Sequence, residues 1–180
     1  RERYGSNQMI THEDQIQLFS LIGKQLKKDV ECYAFGGTAM MFYGYKDETK
    51  DSDIFFEGEA EREEFIRVIE KLGFKETSPF EVYIEEKLRE KHRPLMYKRG
   101  DTRFDLFVKK IFRTMLSPQM KDDLFAIHDF KGKHTLKVKV LRKEHIVLLK
   151  AVTERDRDVE DILNIVEKEM ATADIERDSL

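Results

Sequence analysis

The stretch AFGGTAMMFYGYKDETKDSDIFF, residues 34 to 56, decides how this chain is read. It sets Gly36 and Gly37 between an apolar strand-like run and a short apolar helix, then places Asp51 and Asp53 one residue apart at the start of a second apolar run. Glycine permits tight backbone angles and lets a ligand approach the main chain. The first amides of a helix have no partner within it and can receive a phosphate, and Thr38 adds a hydroxyl there. On a strand, side chains two residues apart share a face, so Asp51 and Asp53 point to one place. Two like charges that close repel unless a cation lies between them, and magnesium is the hard, oxygen-seeking candidate. Each half has an ordinary alternative: a tight strand-to-helix turn for the glycines, a solvated strand end for the aspartates.

A third acid stands inside the run Arg103-Phe104-Asp105-Leu106-Phe107. A carboxylate in an apolar strand is costly unless it is paired or metal-bound. A salt bridge to Arg103 or to a lysine, or exposure at a sheet edge, is one account of Asp105. The other is a third carboxylate on a neighbouring strand, facing the first two. Three carboxylates on adjacent strands beside a phosphate-binding helix start make a two-metal phosphoryl-transfer site, whose ions clamp the attacking and leaving oxygens.

The remaining elements follow from periodicity. Ile16, Phe19, Ile22 and Leu26 recur at helical spacing after a Thr11-x-x-Asp14 start that caps. Glu31 to Phe35 and Ser52 to Glu57 read as strands, and Thr38 to Tyr43 as a helix closed by Gly44. Glu59 to Leu72 is an amphipathic helix with Phe65, Val68, Ile69 and Leu72 inward. Phe74 opens a short strand, and Pro79 to His92 favours helix. Pro94 to Tyr97 and Arg103 to Val108 are strands joined by the Arg99-Gly100-Asp101 turn. Ser117-Pro118 starts a helix that runs to about His128. Thr135 to Leu141 alternates as a half-buried strand. Helices follow over Lys143 to Thr153 and Arg157 to Met170, and the last ten residues are expected to fray. The order predicts an α+β fold: a mixed sheet flanked by helices over residues 1–142, with a C-terminal helical extension over 143–180 packed on that core as one structural domain.

With 40% hydrophobic residues among 180, a sizeable core is available, and a net charge of −3 gives no prior for a general nucleic-acid binder. The single cysteine, Cys32, excludes a disulfide framework and reads as a small core residue. No apolar run approaches the roughly 18 residues of a membrane span. No secretory leader is read at the start. A cytoplasmic protein without membrane partners is expected.

Phe35-Gly36-Gly37, Asp51-Ser52-Asp53 and Phe104-Asp105-Leu106 together resemble the signature of the DNA polymerase β-like nucleotidyltransferase superfamily. GGTAMMFYGYKDETKDSDI is similar to the minimal nucleotidyltransferases of the AbiEii type, found in prokaryotic toxin–antitoxin and phage-defence systems. The stretch Lys150 to Ile162, with its Arg-Asp-x-x-Asp-Ile pattern, resembles the same group. The resemblance implies a nucleotidyltransferase-like mixed sheet and transfer of a nucleoside monophosphate from a nucleoside triphosphate to a hydroxyl acceptor, with magnesium. It implies Asp51, Asp53 and Asp105 as catalytic residues and metal ligands, with Asp105 also positioning or deprotonating the acceptor hydroxyl. Gly36, Gly37 and Thr38 would hold the triphosphate, and Lys150 would contact nucleotide phosphate. The acceptor could be a tRNA, a protein or a small molecule, and a cognate antitoxin is an implied partner. Members of the superfamily without turnover supply the alternative, a nucleotide- or protein-binding module.

Lys50 and Arg103 read as solvated charges flanking the acids. Asp158 and Asp161 read as an ion-pair ladder with Arg155 on one helix face, or as a brace holding the C-terminal helices. The five histidines show no metal-binding spacing, so a zinc site is not expected. Lys137, Lys139, Arg142 and Lys143 form a modest basic strip, solvated or facing RNA.

Overall fold

The computed structural model describes residues 9–78, 89, 91–153 and 156–178; of 152–153, 156–160 and 174–178 it describes the backbone alone. The elements run β1 (Ile10–Thr11), α1 (His12–Gln25), β2 (Val30–Phe35), α2 (Gly36–Tyr43), β3 (Glu48–Thr49), β4 (Asp51–Phe56), α3 (Glu59–Lys71), β5 (Lys75–Thr77), β6 (Leu95–Arg99), β7 (Thr102–Val108), α4 (Pro118–Asp122), β8 (Leu124–Lys131), β9 (Thr135–Leu141), α5 (Lys143–Thr153) and α6 (Asp156–Asp178). The fold is α+β. Seven strands form one mixed sheet in the order β5-β6-β7-β4-β2-β9-β8, and β1 and β3 make a separate two-residue ladder. β2 pairs antiparallel with β4 and parallel with β9, while β4 pairs parallel with β7.

Strand alternation gives this sheet two different faces. Val30, Cys32, Ala34, Ile54, Phe56, Phe104, Leu106, Val138 and Val140 are buried on one of them. α3 lies over that face: Phe65 meets Phe56 and Phe104 edge-on, with centroids 5.4 and 5.3 Å away. The opposite face carries Tyr33, Phe35, Phe55 and Phe107 together with Asp51, Asp53, Arg103 and Asp105. Phe35 packs on Phe107 at 5.5 Å, and Phe112, from the loop after β7, packs on Phe107 in turn.

α1 starts with a full capping box. Thr11 Oγ1 accepts from the Asp14 amide, and the Asp14 carboxylate accepts from the Thr11 amide. α2 stops at Gly44, whose φ of 75° lets its amide and that of Tyr45 close on the carbonyls of Met41 and Met40. The C-terminal helices share the core through Ile146, Leu149 and Ile165. α6 is tied to the connection after α2: Lys168 Nζ donates to the Gly44 carbonyl at 2.7 Å, Lys46 pairs with Asp161 at 3.1 Å, and Tyr45 donates to Glu169. No described helix is long and apolar enough to cross a membrane.

Three expectations are corrected. The helix begun at Ser117-Pro118 ends at Asp122, and Leu124–Lys131 is an edge strand paired antiparallel with β9. Its residues alternate between half-buried and exposed, a pattern that the run Leu-Phe-Ala-Ile hides because both parities are apolar. The last helix, expected to end at Met170, continues to Asp178, as Ala171, Ala173, Glu176 and Arg177 permit. In α1 the inward positions include Gln15 and Leu18, and Ile16 is only half-buried. The helix favoured over Pro79 to His92 falls mostly outside the described residues.

α1 and α3 are clasped by one acid. Glu64 Oε1 and Oε2 accept from Arg67 at 2.6 and 2.7 Å, Oε1 also accepts from the Lys27 amide at 2.6 Å, and Arg67 donates to the Gln25 carbonyl at 2.9 Å. The Arg67 hydrogen bonds lead, against burial and with help from the Lys27 amide, in holding the Glu64 carboxyl at about 2 instead of its ordinary 4.5. The folded value lies below the unfolded one, so this contribution is complete above pH 4.5 and is lost as pH falls toward 2. Glu64→Gln is expected to remove that part of the acid limb. Urea melts of both proteins at stepped pH check it, and superimposable acid limbs would rule the clasp out.

Candidate functional site

β4 and β7 run parallel with Asp53 beside Asp105 and Asp51 beside Arg103. Neighbours in register point to the same side of a sheet, and so do residues two apart on one strand. Asp51, Asp53 and Asp105 therefore share one face, away from α3. All three are buried, at 4%, 1% and 0% exposed. Three buried carboxylates within two adjacent strands repel one another and lose hydration.

The sequence supplies a cation at the fourth corner. Arg103 Nε donates to Asp105 Oδ1 at 2.7 Å and its Nη2 to Asp105 Oδ2 at 3.2 Å, the bidentate geometry that makes guanidinium–carboxylate pairs strong. The same Nη2 pairs with Asp51 Oδ1 at 2.9 Å. Burial pushes the Asp105 carboxyl up; Arg103 pulls it down, and Asp53 and Asp51 raise it further. Burial alone would lower the Arg103 guanidinium, but Asp105, Asp51 and Asp53 outweigh it and raise the pKa.

This corrects the reading of Arg103 as a solvated charge, since its side chain is 13% exposed. Alternation turns Arg103 away from Phe104 but onto the face of Asp105, two residues on; that spacing is the signal in the sequence. The two accounts of Asp105 are thus both present. It is salt-bridged to Arg103, and it faces the other two acids.

The glycine pair sits against these carboxylates. β2 ends at Phe35, the register partner of Asp53. Gly36 then turns into α2 with φ of 55°, and a Cβ there would lie 2.0 Å from Asp53 Oδ2. A Cβ on Gly37 would lie 2.7 Å from Thr49 Oγ1, which itself donates to the Asp51 carbonyl at 3.2 Å. Only residues without side chains let the start of α2 approach β4 this closely. Thr38 is fully buried, and among the described residues its Oγ1 has no hydrogen-bond partner.

Lys150 joins α5 to α6. Its side chain is buried and Nζ donates to Asp161 Oδ2 at 2.6 Å, while Asp161 Oδ1 takes Lys46. Burial works to raise the Asp161 carboxyl, but Lys150 and Lys46 overcome it and hold it below the usual carboxylate range. Asp161 is thus a brace between α5, α6 and the loop after α2; the side chains of Arg155 and Asp158 lie outside the described ones. In the basic strip, Lys139 pairs with Glu31, Arg142 with Asp123 and Lys143 with Glu169.

The donor set is all carboxylate oxygen, which suits Mg²⁺. Among the described residues, however, no group of three His, Cys, Asp or Glu side chains is arranged to hold a metal ion. Arg103 is the cation between Asp51 and Asp105 in this arrangement, so a metal-bound state requires it to release them. Comparison of the chain with protein-family models, curated proteins and solved structures gives no match.

Gly36→Ala is expected to cost more than about 1 kcal/mol, because the left-handed backbone and the Asp53 carboxylate both oppose a methyl group; chemical denaturation measures it. Arg103→Gln leaves the buried acids without their cation, and the fold is expected to lose about 3–5 kcal/mol. If these carboxylates accept a divalent ion, millimolar Mg²⁺ will raise the melting temperature of Arg103→Gln much more than that of the wild type. Equal responses would show that they do not.

Proposed function

We propose that the chain is a magnesium-dependent nucleotidyltransferase, transferring a nucleoside monophosphate from a nucleoside triphosphate to a hydroxyl acceptor. One observation carries this reading. Asp53 and Asp105 stand side by side on parallel strands with Asp51 on the same face, and glycine brings the start of α2 directly against Asp53. Metal ions bound there would neutralise the triphosphate and acidify the acceptor hydroxyl. Asp51 and Asp53 would hold the ions at the mouth of β4. Asp105, its pKa raised by burial, receives the hydroxyl proton; the acceptor oxygen bonds to the α-phosphorus, and the bond to the bridging oxygen breaks to release pyrophosphate. The main chain at Gly36 and Gly37, with the hydroxyl of Thr38, which has no partner among the described residues, would receive the phosphates. Lys150, paired with Asp161, would contact a nucleotide phosphate, by the same resemblance. A cytoplasmic setting, an RNA or protein acceptor and an antitoxin partner belong to the same proposal, by resemblance to AbiEii-type proteins.

The bidentate pairing of Arg103 favours a second reading, in which the fold binds a nucleotide or a protein without turnover. Incubation with α-labelled nucleoside triphosphates, Mg²⁺, and tRNA or cell extract separates the two. Label transfer that falls at least a hundredfold in Asp51→Ala and Asp53→Ala is the expected result. Wild-type and variant signals that match for all four nucleotides would overturn the enzymatic reading, and calorimetric affinity for a non-hydrolysable triphosphate without transfer would support the second.

A further inference from the structure

A second concentration of charge lies at the other end of β4 and β7. There a cavity of about 520 Å³ is lined by Arg62, Lys91, Arg93 and Lys109, with His92 beside them and Glu59 the one carboxylate among the described lining residues. Among the described lining residues cations thus outnumber carboxylates, in a chain of net charge −3. Leu95 and Val108 supply apolar lining. Leu95 is the register partner of Leu106, and Val108 lies two residues beyond Leu106. Both therefore belong to the face under α3, opposite the face of Asp51, Asp53 and Asp105. The cavity is a separate site from the carboxylates, and its chemistry is independent of the nucleotidyltransferase reading.

Among the described residues, two of its cations are only loosely held. Arg62 donates from Nη1 to the Leu106 carbonyl at a long 3.4 Å, and its buried Nε has no hydrogen-bond partner among the described residues. Burial lowers the pKa of this guanidinium, against the opposing fields of Glu59 and Glu63. Lys109 has φ of 64°, a backbone region that side chains other than glycine occupy only when the surroundings demand it. Its pairing with Glu59 is a distant 3.7 Å between two exposed groups. Like charges gathered around one cavity are stabilised by an anion among them. A carboxylate would bring one charge, whereas a phosphomonoester brings nearly two and three strong acceptors, which the guanidinium edge matches. The volume falls in the range of small-molecule sites and exceeds the need of a bare ion, so the apolar lining has an organic moiety to cover.

We propose that this cavity binds the phosphate of a small phosphorylated metabolite, held by Arg62 and Lys109 with Lys91 and Arg93 at its rim. Calorimetry on the full chain tests it, with inorganic phosphate, pyrophosphate and ribose 5-phosphate as probes and EDTA present to silence any metal site. One saturable site is expected, tighter for ribose 5-phosphate than for inorganic phosphate. Affinity should fall at least tenfold in Arg62→Gln and in the double variant Lys91→Gln/Lys109→Gln, and stay unchanged in Asp53→Asn. The double variant alters exposed side chains, so it reports on binding even if Arg62→Gln fails to fold. The proposal is overturned if no probe saturates below ~10 mM, if the double variant binds like the wild type, or if binding disappears in Asp53→Asn. Affinity for a short RNA alone, without affinity for the phosphate esters, also overturns it.

Discussion

Parallel pairing of β4 with β7 forces acids into register, and the guanidinium of Arg103 makes that register tolerable. Remove the cation and the central pair of the sheet carries three desolvated carboxylates at its mouth. Everything nearby is arranged around this knot. Phe35 and Phe107 close the face beyond it, Gly36 brings α2 onto it, and Thr49 holds the backbone of Asp51 beside it. A buried ion network of this kind is weak as a source of stability and strong as a source of specificity: one strand register satisfies it, and a slip by one residue between β4 and β7 places Arg103 and Asp105 on the opposite face from Asp51 and Asp53.

Much of this is legible in residue order because the informative signals are local. Two-residue spacing puts Asp51 and Asp53 together, and Gly-Gly after an apolar strand places the start of α2. The capping pair Thr11 and Asp14, the stop at Gly44 and the turn at Gly100 are equally plain. What escapes is set by partners distant in sequence. Arg103 reads as solvated, despite Asp105 two residues on, because its burial and its second partner Asp51 depend on which strand lies beside β7. β8 reads as helical because Pro118 opens a helix in fact, and Leu124-Phe125-Ala126-Ile127 has no polar alternation to announce an edge strand. Periodicity reports burial only when the two faces differ in polarity, and here they do not.

The brace at Asp161 has a similar character. One carboxylate takes Lys150 from α5 and Lys46 from the loop that leads from α2 to the aspartates. A second carboxylate, Glu169, takes Tyr45 and Lys143. The connection carrying the chain from the glycine turn to Asp51 is thereby fastened to the C-terminal helix at several points. The cost of burying Lys150 is offset by its close pairing with Asp161.

The sheet's order bears on how the molecule comes into being. β2 lies between β4 and β9, and its neighbour β9 arrives late: the Thr135 amide reaches Asp29, 106 positions earlier in the chain. Long loops must close before such contacts repay the entropy spent, so a topology of this kind folds slowly for its length. During synthesis β2 leaves the ribosome before either of its neighbours, and one edge of its Val-x-Cys-Tyr-Ala-Phe run stays uncovered until β9 has been made. The last strand to join is the one that shields the first.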